Sequence, residues 1–347
     1  MAILQNEVAK YLLGLIEQGN HSDELPSQNE LRRLFNCSTV TVRKAIEKLE
    51  ERGLVYRIQG KGCFIRRPDQ TPAMTRIFLI MPQGSDVKSE FVSSLLNASR
   101  KYSYHTIFFC YDGNEDLLFY ELDRVSPQVV IWLAPSMYQH GKTLARLLST
   151  PRHVILFNRE YEHNSVSFVS GDFVGDGFDM GETLAAHGVR NVLYLSLNMQ
   201  FMFSQRRYEG LAAAIRKNNG SIDILDARSI MAEDNSKTHP GSYHEELEKA
   251  ARNMLQGKKY DAIVGAQGEL WQLMAKLATE HYDENNQLFL ATFNTMPGME
   301  NIKFPLIAMD QPIAMMADEA IKLVSRLRNG GAPEQLRYKS NMFLYRL

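Results

Sequence analysis

Between Arg32 and Arg67 the chain carries ten arginines or lysines (32, 33, 43, 44, 48, 52, 57, 61, 66 and 67) against three acids, Glu47, Glu50 and Glu51. That is an excess of seven positive charges, ten minus three, in a chain whose net charge is −1. Such a concentration neutralises phosphates and releases their condensed counterions, which gives salt-dependent affinity for nucleic acid whatever the base sequence. Taken alone, a charge run also reads as a solvated basic surface. The spacing argues against that. Val42, Ala45, Ile46 and Leu49 recur at i, i+3, i+4 and i+7, while Thr39, Arg43, Lys44 and Lys48 lie off the stripe. One helix therefore turns an apolar face inward and a polar, largely basic face outward.

The elements around this helix follow from local signals. Ser27 precedes Glu30 by three residues, the spacing of a capping box, and predicts a helix starting near Gln28. Leu31, Leu34 and Phe35 supply its apolar face. Asn36-Cys37-Ser38 interrupts it, and Ser38 offers a cap for the basic helix. Gly53 reads as the stop of that helix. Leu54 to Ile58 alternates as a strand, Gly60-Lys61-Gly62 turns the chain, and Cys63, Phe64 and Ile65 return it. Upstream, Leu4, Val8, Leu12 and Leu15 share one face of a first helix ending near Gly19. Three helices and a glycine-tipped hairpin in this order are the plan of a winged helix-turn-helix.

The pattern PSxNEL followed by FxxSxxTVRKAxxxLxxxGLVYRxxGKGxF, over roughly residues 5 to 67, resembles the DNA-binding domain of the GntR family of bacterial regulators. The resemblance implies that Ser38, Thr39, Thr41 and Arg43 touch bases and phosphates, and that Gln59 and Gly60 carry the wing tip into the minor groove. Arg43 is the expected base reader, because a guanidinium can bond the O6 and N7 of guanine together. Lys44, Lys48 and Lys61 are expected on phosphates, with simple solvation an equal alternative for Lys48. Ser27 and Asn29, in the preceding helix, complete the expected surface. Asn29 and Thr39 stand where several relatives carry arginine.

Composition limits the remaining possibilities. With 347 residues and 44% hydrophobic content, the chain can bury two or three domain cores. The Met1 to Ile16 stretch is short, is interrupted by Glu7 and Lys10, and lacks a secretion signal's basic start and cleavage site. Cys37, Cys63 and Cys110 have neither CxxC nor Cys/His spacing, which disfavours a disulfide framework or a zinc site. A cytoplasmic protein without membrane association is expected. The segment Arg66-Arg67-Pro68-Asp69-Gln70-Thr71-Pro72 has two prolines and no apolar period, and reads as a linker.

Beyond it the pattern changes. Apolar runs at Ile77–Met81, Ile107–Cys110, Val129–Leu133, His153–Phe157, Val192–Leu195, Ile222–Leu225, Ala262–Val264 and Leu288–Ala291 alternate with helix-length segments, as in parallel sheets covered by helices. Eight strands over about 270 residues suit two α/β lobes better than one. Two such lobes would form a ligand cleft beyond the carboxyl ends of their strands. Polar residues at those ends become candidates: Asp86, Asn158, Arg159, Gln267 and Asn294. A turn or helix cap accounts equally well for any single one of them. Phe91, Trp132, Tyr243 and Trp271 read either as sugar-stacking faces or as core.

The landmarks VVIWLAPS (129 to 136), HVILFNRE (153 to 160), VSFVSGD (166 to 172), RRYEGLAAAI (206 to 215), YDAIVGAQGE (260 to 269), FLATFNT (289 to 295) and MDQPIAMMADEAI (309 to 321) resemble, in this order, the LacI/GalR-type effector domain related to periplasmic sugar-binding proteins. The resemblance implies a ligand-binding arginine at Arg207, a polar ligand contact at Asn158, and Gln311 opening a helix after a lobe crossing. An interlobe salt bridge is the alternative role for Arg207. Gln267-Gly268 and Asn294-Thr295 depart from the acidic residues usual in relatives. That weakens the expectation of a neutral hexose and leaves an acidic, modified or larger saccharide open.

The expected fold class is therefore α/β: an N-terminal winged helix-turn-helix (α+β) and a two-lobed, periplasmic-binding-protein-like effector domain with parallel sheets. Residues 1–68 form the first domain, 69–75 the linker and 76–347 the second. Its first lobe covers about 76–171 and 310–330, and its second about 172–309 and 331–347. No GxSxG, HExxH, GxxxxGK[ST] or helix-opening GxGxxG is present, so no enzyme and no cofactor is expected. GDFVGDG (171 to 177) lacks the lysine of a phosphate loop and reads as bends at a lobe crossing. The combination resembles arabinose-type repressors. It implies a homodimeric repressor of carbohydrate-utilisation genes whose partners are double-stranded operator DNA and a saccharide or sugar-acid effector. Two other readings remain: a sugar-binding interaction protein without DNA function, and a regulator with a ligand-less cleft.

Overall fold

The computed structural model describes residues 2–17, 24–51, 54–58, 62–65, 76–82, 89–134, 141–161, 163–232, 242–283 and 288–346. Gly19, Gly53, the expected wing tip at Gln59, Gly60 and Lys61, the expected linker and Asp86 lie outside the described residues. The chain divides into two compact units, Met1–Thr75 and Arg76–Leu347. None of the helices among the described residues is long and apolar enough to cross a membrane.

The first unit contains α1 (Ala2–Glu17), α2 (Gln28–Leu34), α3 (Thr39–Glu51) and the antiparallel pair β1 (Val55–Ile58) and β2 (Gly62–Ile65). Val8 and Leu12 of α1, Leu31 of α2, and Val42, Ile46 and Leu49 of α3 form its core, together with Val55 and Ile65 from the strands. Each large aliphatic residue buried there contributes roughly 1.5–3 kcal/mol. Asn36 turns the chain between α2 and α3 with φ at +41°, a conformation asparagine tolerates better than most side chains.

The second unit holds two six-stranded sheets among the described residues. In the first, β3 (Arg76–Pro82), β4 (His105–Tyr111), β5 (Val129–Trp132), β6 (His153–Phe157), β7 (Ser167–Gly171) and β13 (Gln335–Tyr338) are all parallel, in the order 13-7-6-5-3-4. In the second, β8 (Asn191–Ser196), β9 (Ser221–Asp226), β10 (Ala262–Gly265), β11 (Phe289–Phe293) and β12 (Leu306–Asp310) are parallel. An antiparallel β14 (Asn341–Tyr345) closes that sheet, in the order 14-12-11-10-8-9. Apolar clusters cover both faces of each sheet, which is why the central strands read as unbroken hydrophobic runs.

The chain passes between the two sheets at three places: Gly171 to Phe173, Asp310 to Ile313, and Tyr338 to Asn341. The last crossing lies later than the boundary expected at 330/331. Residues 335–338 pair in parallel with β7 of the first sheet, and only from Asn341 does the chain join the second. Four strands absent from the apolar-run reading, β7, β12, β13 and β14, are present. The first lobe carries α4 (Ser89–Lys101), α5 (Glu115–Val125) and α6 (Gly141–Leu148) ahead of the first crossing, and after it α7 (Phe173–Ala186) packs along α8 (Met202–Lys217). Gly177 and Gly210 make that approach possible, because a Cβ at either would overlap a backbone carbonyl of the other helix, that of Arg207 or of Val174. The glycines of GDFVGDG thus serve helix contact and the N-cap at Asp172, whose carboxylate accepts from the Gly175 N–H at 3.0 Å.

Candidate nucleic-acid interface and effector cleft

In the first unit, local hydrogen bonds fix where α2 and α3 begin. The Ser27 N–H donates to Glu30 Oε2 at 2.7 Å and the Glu30 N–H to Ser27 Oγ at 3.3 Å, a closed capping box. The bond from the Ser27 N–H holds the Glu30 carboxyl below its ordinary range. At the next helix the Thr41 N–H donates to Ser38 Oγ at 3.2 Å, and the two hydroxyls lie 2.9 Å apart. Thr41 is only 7% exposed, one turn ahead of the core residue Ala45. Its hydroxyl is engaged at the cap, where the expected surface contact would have to share it. Asn29, Thr39, Arg43 and Lys44 are exposed, as are Ser27 and Ser38. Lys48 reaches Asn6 of α1 at 3.4 Å.

Val40 shares the outward face with Arg43, Lys44 and Glu47 and is 53% exposed, which the sequence reading missed. Its signal is an apolar residue off the buried stripe, and a methyl group there suits van der Waals contact with thymine. Arg43 Nε lies 3.2 Å from Glu47 Oε1. Arg57 of β1 pairs with Glu50 at 3.0 Å, so the hairpin is tied to α3 by charge as well as by core packing.

In the second unit, Arg207 of α8 is 3% exposed. Its Nη1 donates to the Ala266 carbonyl at 2.9 Å, just beyond β10. The guanidinium stands over the rings of Phe293, Phe173 and Phe203, at 4.7, 5.3 and 5.4 Å from their centroids. Burial pushes its pKa down to about 10, partly opposed by Asp176 and Asp310, so it stays charged at neutral pH. Nε has no hydrogen-bond partner among the described residues. Such a cation, with rings on several sides, can hold a carboxylate, a phosphate or vicinal hydroxyls.

Asn158 closes β6 in the left-handed region, φ +54°. It exchanges two hydrogen bonds with Gln311 at the second crossing, Asn158 Nδ2 to Gln311 Oε1 at 3.3 Å and Gln311 Nε2 to Asn158 Oδ1 at 3.1 Å. A Cβ added at Gly171 would overlap the Gln311 side chain and lie 3.3 Å from the Phe173 ring, which puts this amide pair beside the ring set around Arg207. Arg159 donates to the Asn158 carbonyl at 2.6 Å. Asn294, half-buried at the end of β11 with φ +87°, donates its N–H to Met309 O at 2.5 Å.

The side chains of three other expected ligand residues are engaged in packing or hydrogen bonds within one lobe. Phe91 fills the first lobe's core edge-on to Phe157, ring centres 5.9 Å apart, because its helix turns that face onto the sheet. Tyr243 packs on the second lobe's core. Gln267 donates to Ser204 Oγ at 2.8 Å and accepts from the Leu197 N–H at 3.3 Å, so its amide braces β8, β10 and α8 within one lobe. Trp132 is fully buried against Tyr111, and Trp271 packs on the second lobe's core. One group the sequence reading missed is Glu160. Its side chain is 2% exposed, it accepts twice from Arg337 of β13 at 3.1 and 2.9 Å, and it lies 3.8 Å from Arg206, next to Arg207 on the other lobe. The acid directly after Asn158-Arg159 was its only local signal.

Against known proteins, residues 4–65 match the profile "Bacterial regulatory proteins, gntR family". Over 65 residues the chain is 34% identical to the arabinose metabolism transcriptional repressor of Geobacillus stearothermophilus, covering 19% of this chain and 17% of that protein. Matches to the curated relatives span only 17 to 27% of their lengths. Among solved structures, a regulatory protein of the LacI family from Chloroflexus aggregans aligns with TM-score 0.64 at 15% identity, over 78% of this chain and 96% of that one. The glucose-galactose binding protein GanP from Geobacillus stearothermophilus aligns with TM-score 0.62 at 14% identity, over 77% and 96%. The N-terminal module is thus similar in sequence to gntR-type DNA-binding domains, and the remainder shares the two-lobed fold of these structures.

Proposed function

We propose that this chain is a cytoplasmic, ligand-responsive bacterial transcription regulator: a repressor of carbohydrate-utilisation genes, released from operator DNA by a saccharide or sugar acid. The observation that carries the reading is the pairing, in one chain, of a gntR-type module exposing Arg43 and Lys44 with a two-lobed fold holding the charged, ring-lined Arg207. The name of the arabinose repressor supports the carbohydrate setting. In the proposed mechanism the effector engages Arg207 and displaces the Asn158–Gln311 amide pair, because its polar groups bond these side chains better in a closed cleft. The lobes pivot about their crossings, a homodimer alters the spacing of its two α3 helices, and operator affinity falls.

A thermal-shift screen against monosaccharides, oligosaccharides and sugar acids tests the effector half. A compound that raises Tm for the wild type and fails with Arg207→Ala supports it. A salt-dependent DNA shift lost in Arg43→Ala supports the DNA half, and only weak binding, the same in the wild type and that variant, excludes it, leaving an interaction protein without DNA function. One observation favours a regulator with a ligand-less cleft: Gln267 donates and accepts within its lobe, and Asn158 and Gln311 bond each other. Absence of stabilisation by every compound, with DNA binding intact, selects that reading.

A further inference from the structure

Glu47 stands one turn beyond Arg43 on α3 and presents a single carboxylate oxygen, Oε1, to two arginines. Arg43 Nε lies 3.2 Å from it and Arg57 Nη2 3.9 Å, while Arg57 Nη2 also pairs with Glu50 Oε2 at 3.0 Å. We infer that Glu47 is a positioning residue for base discrimination, buttressing Arg43 through its Nε edge so that the terminal amino groups face DNA end-on. The inference rests on the reading of Arg43 as the base contact.

The chemistry of the fork is the reason. A guanidinium can meet guanine O6 and N7 with its two terminal nitrogens, or turn its Nε edge toward a phosphate. The Glu47 carboxylate lies beside Nε as an ion pair, not in line for a hydrogen bond, and leaves the terminal pair to the ligand. Arg57, anchored on β1 and paired with Glu50, limits where the Glu47 carboxylate can sit, so the hairpin and the reading helix share the task. Lys44, one residue from Arg43, has no carboxylate within salt-bridge reach among the described residues, and its ammonium is left to backbone phosphates. The Glu47 charge also opposes any approach of α3 to phosphates that lacks a base partner. The same residue thus favours the matched sequence and disfavours the unmatched one.

The test uses the full chain with two probes, a duplex selected from a random-sequence library by the wild type and an unselected duplex, both titrated over a range of salt. Glu47→Ala is expected to strengthen binding to the unselected duplex roughly 2- to 5-fold, the scale of one exposed charge pair, and to weaken binding to the selected duplex by a similar factor. Glu47→Gln keeps an acceptor for Nε and should recover part of the selected-duplex affinity. In an Arg43→Ala background, Glu47→Ala should cost the selected duplex nothing further. If both duplexes shift by the same factor in the same direction while Arg43→Ala still abolishes preference, Glu47 has no positioning role and the base-reader assignment stands. If Arg43→Ala leaves the preference intact, both assignments fall together.

Discussion

The two candidate sites treat their polar side chains in opposite ways. On α2 and α3 most of them stand in solvent, and the backbone holds them through caps at Ser27 and Ser38. Around Arg207 and Asn158 they are buried and already bonded to one another or surrounded by rings: Asn158 to Gln311, Glu160 to Arg337, Arg207 among three phenylalanines. A surface that waits for a polymer of phosphates needs only correct spacing and charge. A pocket that takes a small molecule must first satisfy its groups internally and then exchange those partners for the ligand.

The strongest way to break the contrast is to damage the buried region alone. Gly210→Val forces a side chain into the Val174 carbonyl, and the cost should exceed about 3 kcal/mol. Urea unfolding followed by near-ultraviolet circular dichroism should show loss of the second unit's transition, and a melt like the wild type's would mean that α7 and α8 separate easily. Next in size, Arg43→Ala should cost about 1–3 kcal/mol of discrimination between selected and unselected DNA with no change in Tm. A loss of Tm instead would show that the exposed site carries structural weight.

Two asparagines sharpen the comparison. Asn158→Ala leaves the buried Gln311 amide unpaired and should destabilise by about 1–3 kcal/mol, while exposed Asn29→Ala should stay within about 0.5 kcal/mol. In DNA titration the order should reverse, with Asn29→Ala the weaker binder. Equal stabilities by urea titration would contradict the distinction.

The smallest effect is a pH dependence. Burial raises the Asp176 carboxyl above its ordinary value of 3.8, and hydrogen bonds from the Ser340 hydroxyl and N–H oppose the rise only in part. The folded-state value lies above the unfolded one. The associated stability is therefore fully present below the unfolded value and is lost as pH rises through the folded one. Asp176→Asn should gain on the wild type in urea unfolding as pH increases from about 4 to 7, and a constant difference would mean that Asp176 titrates normally.

How much of this was legible depended on the sequence distance between partners. The capping box, the α3 stripe and the hairpin signals at Leu54–Ile58 and Gly62–Ile65 lie within a few residues of the groups they bond, and local spacing is enough to find them. Central strands such as Ile77–Met81 were legible because burial on both faces demands unbroken apolar runs. β13 and β14 were not. They are half-exposed edge strands, and their partners at Phe168–Gly171 and Leu306–Asp310 are remote in the chain. The same distance hid the bracing role of Gln267, whose partners are Ser204 and Leu197, and the pairing of Glu160 with Arg337. The burial of Thr41 is a local matter: it lies one turn before Ala45, on the inward stripe extended back by one turn.

The three crossings between the sheets constrain motion and damage alike. The Asp172 N–H donates to the Tyr338 carbonyl, and Ser340 bonds Asp176, so the first and third crossings are stitched side by side. A lobe on one tether can swing in any direction; three tethers leave essentially a single rotational freedom, like a lid on several aligned pins. Protease scission at one crossing would still leave two covalent links, so a nicked chain should keep its lobes together where an ordinary two-domain protein would fall into halves.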